Sequence, residues 1–493
     1  MASERSPNIL WITTDQQRYD TIGAFGNKDI NTPSLDRLAE EGIIFSNTYS
    51  QSTVCQPSRA SFLTGLYPNT VHINRNGNRS FPKNVELVTC KLADCGYRCG
   101  LAGKLHIASA WKGEERTDDG YHDFHDSISP FQNIEEGNDY VDWLVNEKKV
   151  DLNEIFVNEP ICNFGHKESN YSHYKEDLPP ELHQTTWCVE KAIEFIEGRQ
   201  KSEKPWLFSV NFFDPHPPFD APKKYKDQYN PEELPQPSFE ESDLILQQKL
   251  QDAYHQTTKP QRPDQKSQEK IASYYGMVSL IDEQVGRLVD FLEKTDQRED
   301  TIIIFHSDHG TMLGDHGLWA KGCRFYEGAV RVPLIISWPG KFVEGYQNDG
   351  LVELTDIVPT LAEICGIEPL NPTDSIEEAQ GKSLLPVLSG EEKKTNRDFV
   401  RCEYYDSLNM YAPYNPEKHD PTYATMYYDG RYKLVVYHGL KTGELYDHES
   451  DPEEFVNLWD EPQMSKLKME LLKKSFDKSM MATDPGPPLH GRY

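Results

Sequence analysis

The strongest constraint in this chain is a repeated local pattern: a short apolar run that stops abruptly at acidic and imidazole side chains. Asn8-Ile-Leu-Trp-Ile-Thr13 runs into Asp15, Trp206-Leu-Phe-Ser-Val-Asn-Phe-Phe213 into Asp214-Pro-His216, and Thr301-Ile-Ile-Ile-Phe305 into Ser307-Asp308-His309. Runs of this length and continuity read as buried strands. Helical signals lie between them. Thr32-Pro-Ser-Leu-Asp-Arg-Leu-Ala-Glu-Glu-Gly42 has a Thr cap, an early Pro, three-to-four apolar spacing and a closing Gly, and Ala272–Lys294 keeps a helical period. Strands alternating with helices predict an α/β fold: a large, mostly parallel sheet sandwiched by helices. Ligands of such sheets bind beyond the carboxyl ends of the strands, where the polar residues sit.

Two regions depart from this pattern. Residues 150–270 are polar and Pro-rich, and read as loop-like insertions shaping a cleft. From about Glu391, the segments Phe399–Tyr404, Tyr423–Tyr428, Tyr432–Tyr437 and Glu444–Tyr446 read as short antiparallel strands, and Pro462–Ser479 as a closing helix. The expected organisation is a catalytic domain over 1–390 and a smaller C-terminal α+β subdomain over 391–493. The tyrosine-rich stretch Tyr404–Tyr428 and the loop residues Trp111, Tyr121, His122 and His125 are candidates for cleft walls.

Charge narrows the partners. The 493 residues hold 51 Lys+Arg against 80 Asp+Glu, a net charge of −29. That balance speaks against nucleic acid or an anionic membrane surface as a partner, since both reward basic faces. No stretch approaches the roughly 20 apolar residues of a membrane helix. The first six residues carry no apolar signal-peptide core. The expectation is therefore a periplasmic or secreted protein if Met1-Ala2-Ser3 stand in for a removed leader, and a cytoplasmic one otherwise. The nine cysteines are an odd, scattered set that does not read as a disulfide framework. Cys90, Cys95 and Cys99 cluster in a helix-like segment, where buried free thiols are favoured over a metal site.

The most informative stretch is Val54-Cys-Gln-Pro-Ser-Arg-Ala-Ser-Phe-Leu-Thr-Gly65. Pro57 suits the first turn of a helix, which puts Cys55 at a helix N-terminus where free N–H groups favour an anion. Arg59 follows four residues on, on the same face. The segment either aims a thiol, N–H donors and a guanidinium at one tetrahedral oxyanion, or is an ordinary helix start with a buried cysteine. Cys-x-Pro-Ser-Arg followed by Leu63-Thr64-Gly65 resembles the signature of type I sulfatases in the alkaline-phosphatase-like superfamily. Nearly the whole chain shares the likeness: Asn8–Asp15 resembles the first family strand, Gly103-Lys104-Leu-His106 the Lys-x-His segment, and Ser307–Lys321 the late metal segment. Leu445-Tyr-Asp447, Asp451-Pro-Glu-Glu and Asn457-Leu458 resemble the C-terminal signature.

The resemblance implies that Cys55 is oxidised to Cα-formylglycine by a formylglycine-generating maturation enzyme. It implies one divalent cation held by Asp15, Gln16, Cys55, Asp308 and His309. Oxygen-rich ligation favours Ca²⁺, with Mg²⁺ or Mn²⁺ as alternatives. Many family members have Asp in place of Gln16 and Asn in place of His309; the Gln/His pair is similar to the choline-sulfatase and phosphonate-monoester-hydrolase branches. The implied catalytic set is Cys55, Arg59, Lys104 and Lys321 on the sulfate, His216 with Lys321 as donor to the leaving alcohol, and His106 as the base that regenerates the aldehyde. His72, Asn76 and Asn211 are candidate substrate contacts. Asp315 and His316 are read as the turn that delivers Lys321.

The expected activity is hydrolysis of sulfate esters on a sulfated sugar or polysaccharide-derived oligosaccharide, a glycosaminoglycan or an algal glycan such as ulvan. The alternatives are a phosphonate or phosphate-diester hydrolase, a choline-type small-ester sulfatase, and a catalytically silent glycan-binding protein. A charge of −29 opposes the approach of a polyanion, so binding must rest on a small cationic pocket.

Overall fold

The structure, a computed structural model, describes residues 6–78, 80–108, 116–131, 137–159, 161–163, 166–253, 260–367, 379–407 and 422–484. Its strands in chain order are β1 (Asn8–Thr14), β2 (Ile43–Tyr49), β3 (Arg98–Gly103), β4 (Asp123–Asp126), β5 (Ile161–Asn163), β6 (His166–Ser169), β7 (Trp206–Asn211), β8 (Thr301–Ser307), β9 (Arg331–Val332), β10 (Leu334–Ser337), β11 (Tyr346–Glu353), β12 (Val400–Tyr405), β13 (Tyr423–Tyr428), β14 (Tyr432–His438) and β15 (Gly443–Asp447). The main sheet has the order β11-β2-β10-β8-β1-β7-β3-β4, with β9 beside β2. Strand β1 lies at its centre, parallel to β7 and β8 on its two sides. Strand β10 runs antiparallel between β2 and β8, so the sheet is mixed but mostly parallel.

The sheet is buried on both faces because successive side chains alternate sides. Ile9, Trp11, Ile302 and Ile304 pack into one core with Ala60, Phe62, Leu92 and Leu361, whose helices are Cys55–Thr64, Val88–Asp94 and Ile357–Cys365. Leu10, Ile12, Ile303 and Phe305 face the other core, under Pro33–Glu40, Gln184–Glu197 and the 30-residue helix Gln265–Lys294. At roughly 25 cal/mol per Å² of apolar surface removed from water, these two layers dominate the stabilisation.

Several local expectations are corrected. Within the region read as loop-like, Gln184–Glu197 is a helix closing one face of the sheet. Its cap is His183, whose Nδ1 accepts from the Thr185 N–H at 3.2 Å, an unusual capping residue that hid the start. The long helix begins seven residues before Ala272, since Asp264 and Ser267 form a reciprocal capping box ahead of a purely polar first turn. Thr32 stands at the cap position of Pro33–Glu40 but does not cap it. The Ser34 and Leu35 N–H groups go instead to Asp282 of the long helix, at 3.2 and 2.7 Å. The cysteine cluster is not one helix: Cys90 is helical, and Cys99 lies on β3. Burial pushes both thiols up to about 12, and they donate to the Asp118 and Thr89 carbonyls. Tyr121, Tyr404 and Tyr428 are core residues rather than cleft walls. Tyr121 shares a 2.8 Å bond with Ser209, and His122 accepts from the Cys99 N–H. Trp111, Tyr411 and Tyr414 lie outside the described residues.

Strands β12–β15 form an antiparallel meander, backed by the helix Ser465–Met481. The meander docks on the end of β2 and on residues 323–330. A buried charge knot joins them: the Lys433 ammonium lies 2.6 Å from Glu327 and 2.7 Å from Glu454. Glu454 also meets His448, and Glu327 meets Arg331 and the Tyr49 hydroxyl. Among the described residues no helix is long and apolar enough to cross a membrane.

Burial alone would raise the Glu327 carboxyl, but Lys433, His448 and Arg331 pull it from 4.5 down to about 2. A depressed carboxyl contributes stability that is present above its unfolded value and lost as pH falls through the folded one. Glu327→Gln is therefore expected to flatten the pH dependence of the unfolding free energy between about 4.5 and 2. Urea titrations across that window check this; a slope identical to that of the unsubstituted protein contradicts it.

Candidate active site

The carboxyl ends of β1, β7, β8 and β3 converge on one place, and the sequence puts a polar side chain at each. Asp15 and Gln16 follow β1, Asp308 and His309 follow β8, Lys104 follows β3, and Asn211 ends β7. Backbone bonds lock the ends together: the Asp15 N–H donates to the Asp214 carbonyl, and the Asp308 N–H to the Thr14 carbonyl. Gly103 makes the turn into Lys104. Its φ is +106°, and a Cβ there would lie 1.9 Å from the Asn211 carbonyl oxygen, so only glycine fits.

The helix Cys55–Thr64 points its N-terminus at this edge, with Cys55 as its first residue and Gly65 closing it at φ +71°. The Cys55 Sγ lies 2.9 Å from Lys321 Nζ, 3.2 Å from His309 Nε2, 3.6 Å from Asp15 Oδ1 and 3.9 Å from Lys104 Nζ. Arg59 is fully buried on the same helical face. Its Nε donates to Asp308 at 2.9 Å, Nη1 to the Lys104 carbonyl at 2.6 Å, and Nη2 to Asp15 at 3.4 Å. In the free chain this guanidinium is committed to the two carboxylates. The helix end offers fewer free donors than the motif suggests, since the Gln56 N–H is taken by Asn76 Oδ1 at 2.9 Å.

Electrostatics follow from this packing. Burial would raise the Asp15 carboxyl, but Lys104, at 2.6 Å, with His216, Lys321 and Arg59, holds it well below the usual carboxylate range. Burial and Asp15 would raise the Cys55 thiol, and Lys104, Lys321 and His309 outweigh them, so it sits well below the ordinary thiol range. Burial and the Asp15 charge raise Asp308. Burial depresses His106, whose Nδ1 has no partner, and burial with Lys321 pushes His216 down to about 3. His216 donates from Nδ1 to the Pro217 carbonyl and lies tilted against the Phe213 ring, centroids 4.7 Å apart.

The donors fit a hard or borderline cation. Ligand atoms of Asp15, Cys55, Asp308 and His309 lie within 4.8 Å of one another, all buried. Burial would lower the His309 imidazole, but Asp308 outweighs it and raises the group in the free chain. Nδ1 donates to the Gly310 carbonyl, so loss of the other proton would leave Nε2, 3.2 Å from both Cys55 Sγ and Lys321 Nζ, as the nitrogen offered to a cation. Gln16 is fully buried, its N–H is on Asp308, its Nε2 is on Thr311, and its Oε1 has no hydrogen-bond partner. An orphaned buried amide oxygen on the residue after Asp15 calls for a partner, and a cation would supply one. Among the described residues the other cluster of this kind, Glu327, His448 and Glu454, has the Lys433 ammonium against both carboxylates and is an ion-pair knot.

A family model described as Sulfatase matches residues 7–367. The chain belongs to the sulfatase family. It hydrolyses sulfate esters on an alkaline-phosphatase-like fold. A second model, N-sulphoglucosamine sulphohydrolase, C-terminal, matches residues 314–480. An arylsulfatase of Clostridium perfringens is 31% identical, over 97% of this chain and 95% of its own. An N-acetylglucosamine-6-O-sulfatase of Bacteroides thetaiotaomicron is 28% identical, over 95% and 85%. The solved phosphonate monoester hydrolase of Silicibacter pomeroyi superposes with a TM-score of 0.80 at 23% identity, over 97% of this chain and 96% of its own, which speaks to the fold alone.

In this sulfatase the residues named from sequence gather at one edge, His72 excepted. His72 is exposed and faces Asp484 at 3.6 Å, apart from the cluster. Asn76 binds the helix start, and Asn211 donates to the Lys104 carbonyl; both support the site from behind. Asp315 pairs with Arg18 and His316 with Asp243, as a turn before Lys321. Sequence reasoning missed Gln56, the variable residue of the motif. Its side chain accepts from Gly77 and donates to the Ile107 carbonyl, joining the loops on either side of the helix start. It also missed Arg18, which holds the Thr311 and Met312 carbonyls.

Breaking a buried ion pair by removing one partner costs about 3–5 kcal/mol, because the other charge stays buried and uncompensated. Arg59→Met is expected to lower the unfolding free energy of chelator-treated protein by that amount, read by urea denaturation. A loss below about 1 kcal/mol would mean that Lys104 and Lys321 alone balance the carboxylates.

Proposed function

We propose that this sulfatase removes sulfate from a sugar or oligosaccharide, with a divalent cation at Asp15, Gln16, Asp308 and His309 and with Cys55 converted to Cα-formylglycine by a maturation enzyme. The observation that carries the reading is the crowding of Cys55 Sγ by Lys321, His309, Asp15 and Lys104, all within 3.9 Å. When bound, the cation supplies Lewis acidity and charge neutralisation at the reacting oxygens. The formylglycine hydrate supplies a nucleophilic hydroxyl and a second hydroxyl whose deprotonation lets sulfate go. Ca²⁺ remains the first choice for the oxygen donors, and the His309 imidazole keeps Mn²⁺ a competitor.

The chain's own residues do the rest. Lys104 and Lys321 bind the sulfate oxygens and oppose their growing charge. Lys321 and His216 face the leaving alcohol. Burial and Lys321 depress His216 in the free site, and the substrate's negative charge raises the imidazole toward the proton-bearing form that a donor needs. His106 is neutral and unpaired at Nδ1, which suits it to accept the second hydroxyl's proton. Arg59 holds the two carboxylates in place throughout. The likeness to the N-acetylglucosamine-6-O-sulfatase supports a sugar as the alcohol. A second reading, a phosphonate or phosphate-diester hydrolase, is favoured by the Gln16/His309 pair.

The test uses protein whose Cys55 peptide has lost about 18 Da, the CH₂SH to CHO change. Release of sulfate or phosphorus product is measured on sulfated sugars, on aryl and choline sulfates, and on phosphonate and phosphate esters. The expected result is the highest kcat/KM on a sulfated sugar, falling about 10³-fold or more in Cys55→Ala. The highest value on a small sulfate would remove the sugar reading, and the highest on a phosphorus ester would establish the second one.

A further inference from the structure

Gln16 adopts a backbone that a residue with a side chain rarely takes. Its φ is +72°, in the left-handed region, and the residue is fully buried. Something must hold it there, and two groups outside the catalytic set do so. The Tyr274 hydroxyl donates to the Gln16 carbonyl at 2.7 Å and accepts from the Arg18 N–H at 3.0 Å. It spans the turn with one oxygen. Tyr274 is itself fixed, wholly buried on the long helix, with its ring edge-on to Phe219 of the His216 loop at 5.4 Å.

The second group sets the direction of the side chain. Thr311 Oγ1 donates its one proton to the Ala320 carbonyl at 3.2 Å, an oxygen that also takes the Met312 N–H at 2.9 Å, and so presents a lone pair to Gln16. It takes the Nε2 proton at 3.1 Å. A flipped amide would draw that proton to its own carbonyl and break the bond to Ala320, so Oγ1 makes two bonds with one flip and one with the other. The hydroxyl therefore favours, by one hydrogen bond, the flip in which Oε1 is unpaired. Thr311 is fully buried and its backbone is held in turn, its N–H on the Gly328 carbonyl and its carbonyl on Arg18. Ala320 precedes Lys321, so the same hydroxyl ties the amide to the loop bearing the lysine.

We propose that Tyr274 and Thr311 are positioning residues that clamp Gln16 at backbone and side chain, presenting its amide oxygen as a neutral cation ligand. An amide needs this help where a carboxylate does not. A carboxylate presents an oxygen whichever way it turns, whereas a glutamine offers one only in the correct flip. The inference rests on the cation reading of Asp15, Gln16, Asp308 and His309.

The test is direct titration of chelator-stripped protein with Ca²⁺ and with Mn²⁺ by calorimetry. It compares the unsubstituted chain with Thr311→Val, Thr311→Ser and Tyr274→Phe. Thr311→Val and Tyr274→Phe are each expected to raise the cation Kd about 10-fold, the lower end of what second-sphere partners of metal ligands contribute. Thr311→Ser keeps the hydroxyl and is expected to bind as the unsubstituted chain does. A merely structural role would lower the melting temperature of the stripped protein and leave Kd unchanged. If the unsubstituted chain binds and all variants bind equally, the clamp is wrong. If the unsubstituted chain binds neither cation, the cation reading falls and takes the clamp with it. Should Tyr274→Phe fail to fold, the Val/Ser pair at 311 decides the matter alone.

Discussion

Everything at the sheet's edge depends on bringing two buried carboxylates together among cationic side chains. Asp15 and Asp308 end β1 and β8, adjacent parallel strands, so their separation is set by strand spacing and cannot relax. Two buried negative charges at that distance would ordinarily drive one to protonate. Here Arg59 spans both, and Lys104 and Lys321 add charge from two other segments. The carboxylates fix where the cations point, and the cations permit the carboxylates. Two carboxylates stand against three cationic side chains, an excess of positive charge that suits an anionic sulfate ester.

The sequence carried much of this because the reactive residues follow apolar runs whose meaning is unambiguous. Asp15, Asp308, Lys104 and Cys55 were each legible from a strand end or a helix start. What escaped notice was support that depends on distant partners. Thr311 and Tyr274 act on Gln16 across 295 and 258 positions, and no local pattern marks them. The Gln184–Glu197 helix was lost because histidine capped it and because its surroundings are polar. Tyr121 and Tyr404 were taken for cleft aromatics; aromatic composition does not say which face of a strand a ring occupies. Arg59 was read as an anion clamp, and in the free chain its donors lie on protein oxygens instead.

The acidic surface and the small C-terminal sheet also take their place from this edge. The Lys433 knot fastens the meander to Glu327, and the same stretch of chain lends the Gly328 and Ala329 carbonyls to the backbone of Thr311 and Gly310. The meander therefore buttresses the loop that carries His309 and, nine residues beyond Met312, Lys321. With a net charge of −29, the molecule as a whole repels anions. The cationic cluster behind Cys55 must act at short range, within about one Debye length of 8–10 Å.

The most direct measurement of the central claim is a crystal structure of the aldehyde-containing protein grown with Mn²⁺, with anomalous scattering used to locate the ion. One strong anomalous peak is expected, bounded by Asp15, Gln16 Oε1, Asp308 and His309 Nε2, with Arg59 still across both carboxylates. A peak elsewhere, or Gln16 turned away with Lys321 remaining against His309, would contradict it.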